Sequence, residues 1–249
     1  MTADLQRRGP ALLHVATPSL SVVEGVLAAG YDGVVVDLQH GEVGLEAACM
    51  MLRAIPRGTA HAYARVSSID SGAIGRLLDS GARGIVAPTV ESADEARALV
   101  AAAKYPPLGR RSLGPSRPAL YDGADYCRAG NAAVAAVVQI ETRLGVERAD
   151  EILAVEGVDS VYLGPADLAV SYGLPGRADW EAGPVLDAIE TATATARRHG
   201  RTVGLYCASA GYAAALLERG LVDYVGLGID LVLVTRAARD LIEQLKGTP

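Results

Sequence analysis

Lysine is almost missing from this chain of 249 residues: Lys104 and Lys246 are the only two. Lys104 closes an expected helix and Lys246 lies near the C-terminus. Neither stands where a strand would deliver an amine to a site, so chemistry through a lysine Schiff base lacks its nucleophile. Cysteine is nearly as scarce. Cys49, Cys127 and Cys207 are odd in number, far apart and form no CxxC, so buried free thiols are expected rather than a disulfide framework. There is no basic block: 23 Lys and Arg stand against 29 Asp and Glu, for a net charge of −6. That balance excludes nucleic acid and anionic membrane surfaces as expected partners. No apolar run reaches the roughly 18 residues of a membrane-spanning helix. The polar segment 1–10, with Arg7 and Arg8, does not resemble a signal peptide, and cytoplasm is the expected compartment. A Walker A motif is absent, and Ala16-Thr17-Pro18-Ser19-Leu20 is no glycine-rich phosphate turn, which counts against a doubly wound nucleotide-binding sheet.

What is present is alternation. Half of the residues are hydrophobic, enough for one large core. Short runs rich in Val, Ile and Leu recur at 11–17, 33–37, 61–66, 84–88, 135–141, 160–163, 202–207 and 223–227. They mostly lack polar alternation, as strands covered on both faces do. Helical patterns lie between them at 71–80, 92–104, 144–155, 181–199, 208–219 and 230–246. Ser92-Ala93-Asp94-Glu95 reads as a capping box, and Gly30, Gly81, Gly200 and Gly220 sit where helices should end. Eight βα alternations predict a (β/α)8 TIM barrel with parallel strands, a single domain over 1–249 with a C-terminal helix at 230–246. One connection is long: 105–132 carries four prolines and four glycines, and loops of that length are usually functional or at an interface.

In such barrels the chemistry stands at the C-terminal ends of the strands. Strand 2 runs into Asp37-Leu38-Gln39-His40-Gly41. Strand 3 ends at Arg65, strand 5 at Gln139-Ile140-Glu141, and strand 6 at Leu163-Gly164-Pro165-Ala166-Asp167. Four strands thus bring carboxylates, an imidazole and a guanidinium to one rim. Glu141 and Asp167 suit a hard divalent cation that keeps coordination positions for water and substrate; pairing with arginine is the alternative. Pro165 fits the first turn of a helix, where the amides of Ala166 and Asp167 are free for a carboxylate. His40 follows Asp37 closely enough for that carboxylate to orient the ring as a general base. His14, within strand 1, reads as structural. Leu205 and Tyr206, at the end of strand 7, are expected to shape a substrate pocket.

These stretches resemble the HpcH/HpaI aldolase family of metal-dependent pyruvate aldolases. The likeness runs through Gly30-Tyr31-Asp32-Gly33 to His40-Gly41, Ala64-Arg65-Val66, and Leu77 to Ala82. It continues through Ala87-Pro88-Thr89-Val90, Ala93 to Ala96, Tyr105-Pro106-Pro107-Leu108-Gly109-Arg110-Arg111, Gln139 to Thr142, and Glu156 to Asp159, ending at Gly164 to Leu168. These stretches are collinear over nearly the whole chain. The resemblance implies cleavage or formation of 4-hydroxy-2-oxo acids through a pyruvate enolate stabilised by Mg2+, Mn2+ or Co2+ on Glu141 and Asp167. It implies Arg65 at the enolate oxygen, His40 with Asp37 in proton transfer, and Gln139, Gly164, Pro165 and Ala166 at the 2-oxo acid. An aldehyde is the second substrate. It further implies a homo-oligomer, hexamer or trimer, in which Arg111 or Tyr121 of the long loop completes a neighbour's site. Oxaloacetate decarboxylation or a citrate-synthase-like condensation would use the same enolate, and a non-catalytic barrel binding a 2-oxo acid is the reading of another class. Many members carry Glu where this chain has Gln39, which removes a negative charge near the metal and bears on the acceptor.

Overall fold

The computed structural model describes residues 9–247 except 115 and 124; the side chains of Ser116 and Tyr121, and so the role expected of Tyr121, lie outside the described residues. Eight parallel strands close into a barrel in chain order. They are β1 (Ala11–Val15), β2 (Gly33–Asp37), β3 (His61–Arg65), β4 (Gly84–Ala87), β5 (Ala135–Ile140), β6 (Ser160–Leu163), β7 (Thr202–Cys207) and β8 (Tyr224–Ile229). The TIM barrel expected from the alternation is the fold. Strand side chains alternate between two layers, as the pleat requires. Leu12, Val35, Val86, Val137, Tyr162 and Tyr224 fill the barrel interior. Their neighbours Leu13, Val34, Val36, Val138, Leu163 and Leu205 pack outward under the helices. Most of the strands are therefore apolar on both faces, which is why their sequences read as nearly unbroken runs.

Twelve helices are described: α1 (Leu20–Ala28), α2 (Leu45–Ala54), α3 (Ser71–Ser80), α4 (Ala93–Ala103), α5 (Ser116–Asp122), α6 (Tyr126–Ala133), α7 (Arg143–Glu147), α8 (Ala149–Leu153), α9 (Pro165–Ser171), α10 (Pro184–Arg198), α11 (Ala210–Glu218) and α12 (Asp230–Lys246). Ser92 caps α4 by accepting from the Glu95 amide, and the Glu95 carboxylate returns to the Ser92 hydroxyl and the Glu91 amide. At the end of α3, Gly81 takes φ 119°, a left-handed cap that a side chain disfavours. The single helix expected over 144–155 is two short ones, broken at Arg148. The excursion 105–132 is not structureless either, because it folds into α5 and most of α6. Its base is tied down by Lys104, whose buried ammonium donates to the carbonyls of Asn131 and Val134 and pairs with Asp159 at 2.7 Å. Lys104 is thus fully engaged in structure, away from the strand ends.

Among the described residues no helix is long and apolar enough to cross a membrane. The last helix, α12, stands apart from the others. Only Asp230 at its start is buried, while Leu231, Val234, Leu241 and Leu245 are exposed by 58, 63, 66 and 81%. Their spacing places them along one side of the helix.

Candidate active site

The β2–β3 register sets Asp37 directly beside Arg65. The two side chains form a forked pair, Nε to Oδ1 at 3.0 Å and Nη2 to Oδ2 at 2.6 Å, both buried. Burial alone would raise the Asp37 pKa; the hydrogen bonds and charge of Arg65 outweigh it and hold the carboxyl below its usual range. Asp37 Oδ1 also accepts from the main-chain amides of Gln39 and His40, at 3.0 and 3.3 Å. This corrects the expectation that Asp37 orients the His40 ring. The carboxylate shapes the turn that carries His40 through the backbone, and among the described residues it makes no hydrogen bond to the imidazole. His40 itself is exposed at the rim.

Across the barrel, Glu141 follows the last residue of β5 and is buried, 2% exposed. No arginine pairs with it at salt-bridge distance among the described residues, so the alternative of an ion pair fails here. Its Oε1 accepts two hydrogen bonds from Thr89, from the amide and from the hydroxyl, each 2.8 Å. Its Oε2 accepts from the Gln139 amide nitrogen. Burial, and then the nearby charge of Asp167, push its pKa above the ordinary carboxylate value despite these donors. Gly164 is needed at this point: a Cβ there would lie 2.5 Å from Glu141 Oε2. Gly164 precedes α9, with Pro165 in its first turn as expected and Asp167 exposed beside it.

A cavity of about 140 Å³ opens at this end of the barrel, lined by His40, Arg65, Gln139, Gly164, Pro165, Ala166 and Asp167. Most of the residues singled out from the strand ends therefore meet there. His14, Tyr162, Tyr206 and Ile229 complete the wall. Leu205 does not belong to it. It is fully buried in the outer layer, and Tyr206, one residue on and of opposite phase along the strand, faces the cavity. Arg111 is also elsewhere in the chain, bound to Asp79 at 2.6 Å and lying over the Tyr105 ring.

Three residues of the site had no signal at the strand ends. His14 Nε2 meets the Tyr162 hydroxyl at 2.8 Å on the cavity floor. Burial and the Arg65 charge depress the His14 pKa to about 3, so the ring is neutral near pH 7. Its inward phase in β1 was the one available clue. Thr89 is the third; it stood within a stretch of the family resemblance, but no polar break at a strand end marked its partnership. Gln139 Oε1 is buried with no hydrogen-bond partner among the described residues, in a side chain that lines the cavity.

The donor set can be tested against a divalent cation. No group of three or more His, Cys, Asp or Glu side chains that could hold a metal gathers among the described residues. The described residues therefore do not assemble a closed site of the zinc type. Two carboxylates, one buried without a cationic partner and one exposed, fit a hard cation that retains water and takes oxygens from substrate. The residues present fit Mg2+ or Mn2+.

A parallel barrel with convergent acid, guanidinium and imidazole groups at the C-terminal rim defines an enzyme of the TIM-barrel class, with its cavity where such enzymes work. The family model for HpcH/HpaI aldolase/citrate lyase matches residues 11–237, and the chain belongs to that family. It is 38% identical to a hydroxypyruvate/pyruvate aldolase of Rhizorhabdus wittichii over 230 residues, 92% of this chain and 91% of the relative. It is 36% identical to a 4-hydroxy-2-oxo-heptane-1,7-dioate aldolase of Salmonella arizonae, covering 88% and 83%. Among solved structures, an HpcH/HpaI aldolase/citrate lyase family protein from Burkholderia cenocepacia superimposes with a TM-score of 0.86 at 28% identity, covering 96% and 95%. The lyase of aldolase type expected from the resemblance matches what these relatives are.

Proposed function

We propose that this chain is a divalent-metal-dependent aldolase that makes and breaks the C3–C4 bond of 4-hydroxy-2-oxo acids, with pyruvate or a close 2-oxo acid as donor. The observation that supports the metal is the buried Glu141 carboxylate, which accepts hydrogen bonds from neutral donors only and lies near enough to Asp167 for that charge to help raise its pKa. Glu141 and Asp167 would hold such a cation, which would supply Lewis-acid stabilisation of the negative charge that develops on the donor. The remaining work falls to the chain. Arg65 uses Nε and Nη2 on Asp37, so Nη1 is left for the oxygen on which enolate charge develops. Asp37 fixes the plane of that guanidinium. The amides of Ala166 and Asp167, at the start of α9, receive the substrate carboxylate. His40 moves the proton of the 4-hydroxyl, reached directly or through water. His14, Tyr162 and Tyr206 bound the cavity and exclude water from the carbanion side.

The test is exchange of the pyruvate methyl protons with solvent, followed by NMR with Mg2+ or Mn2+ present. Wild type exchanges them; Glu141→Ala and Arg65→Ala proteins do not. Normal metal-dependent exchange in both variants would sink the reading. A panel of aldehydes with pyruvate or hydroxypyruvate then identifies the acceptor.

The working form is a homo-oligomer, hexamer or trimer. The support is the apolar side of α12, which no part of the described protomer covers. Leu241→Glu in that stripe is expected to lower the sedimentation coefficient toward that of a monomer. Localisation in the cytoplasm remains part of the same reading.

A further inference from the structure

Thr89 is the only non-glycine residue with positive φ among the described residues, at 51°. A β-branched residue adopts this conformation only at a cost in backbone strain. Strain of that kind persists only where the surroundings impose it. Here β4 ends at Ala87, and the Val90 amide donates to the Gln139 carbonyl of β5 at 3.0 Å. The chain must therefore turn sharply between β4 and the edge of β5. The turn aims both the amide and the hydroxyl of Thr89 at a single atom, Oε1 of Glu141, at 2.8 Å each.

A carboxylate offers about four lone-pair positions. Thr89 fills two, both on Oε1. Gln139 fills one on Oε2. One position remains, on Oε2, the oxygen for which Gly164 leaves room. We propose that Thr89 is a positioning residue that clamps Oε1 so that Glu141 presents Oε2 alone, in one orientation, to the divalent cation. The hydroxyl adds what the backbone amide cannot supply by itself, a second donor that fixes the rotation of the carboxylate about its terminal bond. This rests on the reading of Glu141 as a cation ligand. Second donors behind a metal ligand typically govern 10- to 100-fold in affinity.

The experiment is calorimetric titration of the full-length, metal-free protein with Mn2+ alone, alongside thermal unfolding without metal. The variants are Thr89→Gly, Thr89→Ser and Glu141→Gln. Thr89→Gly keeps the amide, removes the hydroxyl and relieves the backbone. It is expected to bind Mn2+ about 10-fold more weakly while its melting temperature stays level or rises. Thr89→Ser, which restores the hydroxyl, is expected to recover wild-type affinity. Unchanged Mn2+ affinity in Thr89→Gly, with Glu141→Gln unable to bind, would overturn the clamp and leave the metal reading standing. Wild-type affinity in Glu141→Gln would overturn both. A role confined to structure would lower the melting temperature and leave affinity untouched, the opposite pattern in both readouts.

Discussion

The two sides of the barrel rim each bury a carboxylate at a strand end, and they treat it in opposite ways. On the β2–β3 side, Asp37 is met by a forked guanidinium and its pKa is held low. On the β5–β6 side, Glu141 has the same burial but only neutral donors, and its pKa is raised. A buried charge is tolerated when it is paired. Asp37 is complete within the chain, satisfied by Arg65 and by the amides of Gln39 and His40. Glu141 is incomplete, and its deficit is what a cation would supply. Removing a group on one side should therefore disrupt the fold, and on the other it should disrupt ligand binding.

The largest effect is expected on the paired side. Arg65→Met leaves Asp37 buried and uncompensated, and should cost about 3–5 kcal/mol in urea unfolding. Adding Asp37→Leu should recover most of that stability while activity stays lost. If the single variant unfolds like wild type, the pair is not what makes that side self-sufficient. Next comes Glu141→Gln, which should leave metal-free stability level or raise it by about 1 kcal/mol, because a buried charge without a counter-ion is removed. A loss as large as that of Arg65→Met would erase the distinction between the two sides.

The acid limb of stability sharpens the contrast further, with smaller changes. A depressed carboxyl such as Asp37 contributes stability that is present above its unfolded value, about 3.9. That contribution is lost as pH falls through the folded value. A raised carboxyl such as Glu141 does the reverse. Its contribution is present below an unfolded value of about 4.3 and is lost as pH rises through the folded value. In metal-free buffer the Asp37→Leu/Arg65→Met protein should show a shallower loss of stability below about pH 4 than wild type. The advantage of Glu141→Gln over wild type should grow as pH rises above about 4.3. Parallel pH curves for all three proteins would contradict the opposite shifts.

The same contrast bears on what could be read from the sequence. The barrel was legible because eight apolar runs, each covered on two faces, leave a pattern that any reader can count. The identities of Arg65, Gln139, Glu141, Gly164 and Asp167 were legible as polar breaks at the ends of those runs, and the cavity gathers most of them. Partnership was not. Asp37 lies three residues from His40 but pairs across the sheet with Arg65, because register between strands, not distance along the chain, decides which side chains touch. The same lack of phase put Leu205 beside Tyr206 in the expected pocket, where only Tyr206 belongs: a strand apolar on both faces gives little sign of which residue looks inward. Thr89 lay within a stretch of the resemblance, yet its partner was not legible, because the contact depends on a backbone turn and on a glutamate 52 residues away. The helices in 105–132 were masked by prolines and glycines, since each of the two segments is too short to show a helical period.

His14 offers the smallest and most local test of this division. It lies on the floor between the two sides, with Tyr162 at hydrogen-bond distance and Arg65 and Asp37 both felt by the ring. If the Asp37 charge were free, it would draw a proton onto the imidazole. Because Arg65 neutralises it, burial and the Arg65 charge prevail, and the His14 pKa falls to about 3. A folded value below the unfolded one, about 6.5, means that His14 contributes stability present above pH 6.5 and lost as pH falls toward 3. Nitrogen-15 NMR of the imidazoles should therefore show one ring still neutral at pH 5, and His14→Gln should remove that signal. In the Arg65→Met protein Asp37 is no longer compensated, and the same ring should titrate at higher pH. A His14 resonance that already titrates near pH 6.5 in wild type would mean that the Asp37 charge is not cancelled by its partner, and the two sides of the rim would differ less than their geometry implies.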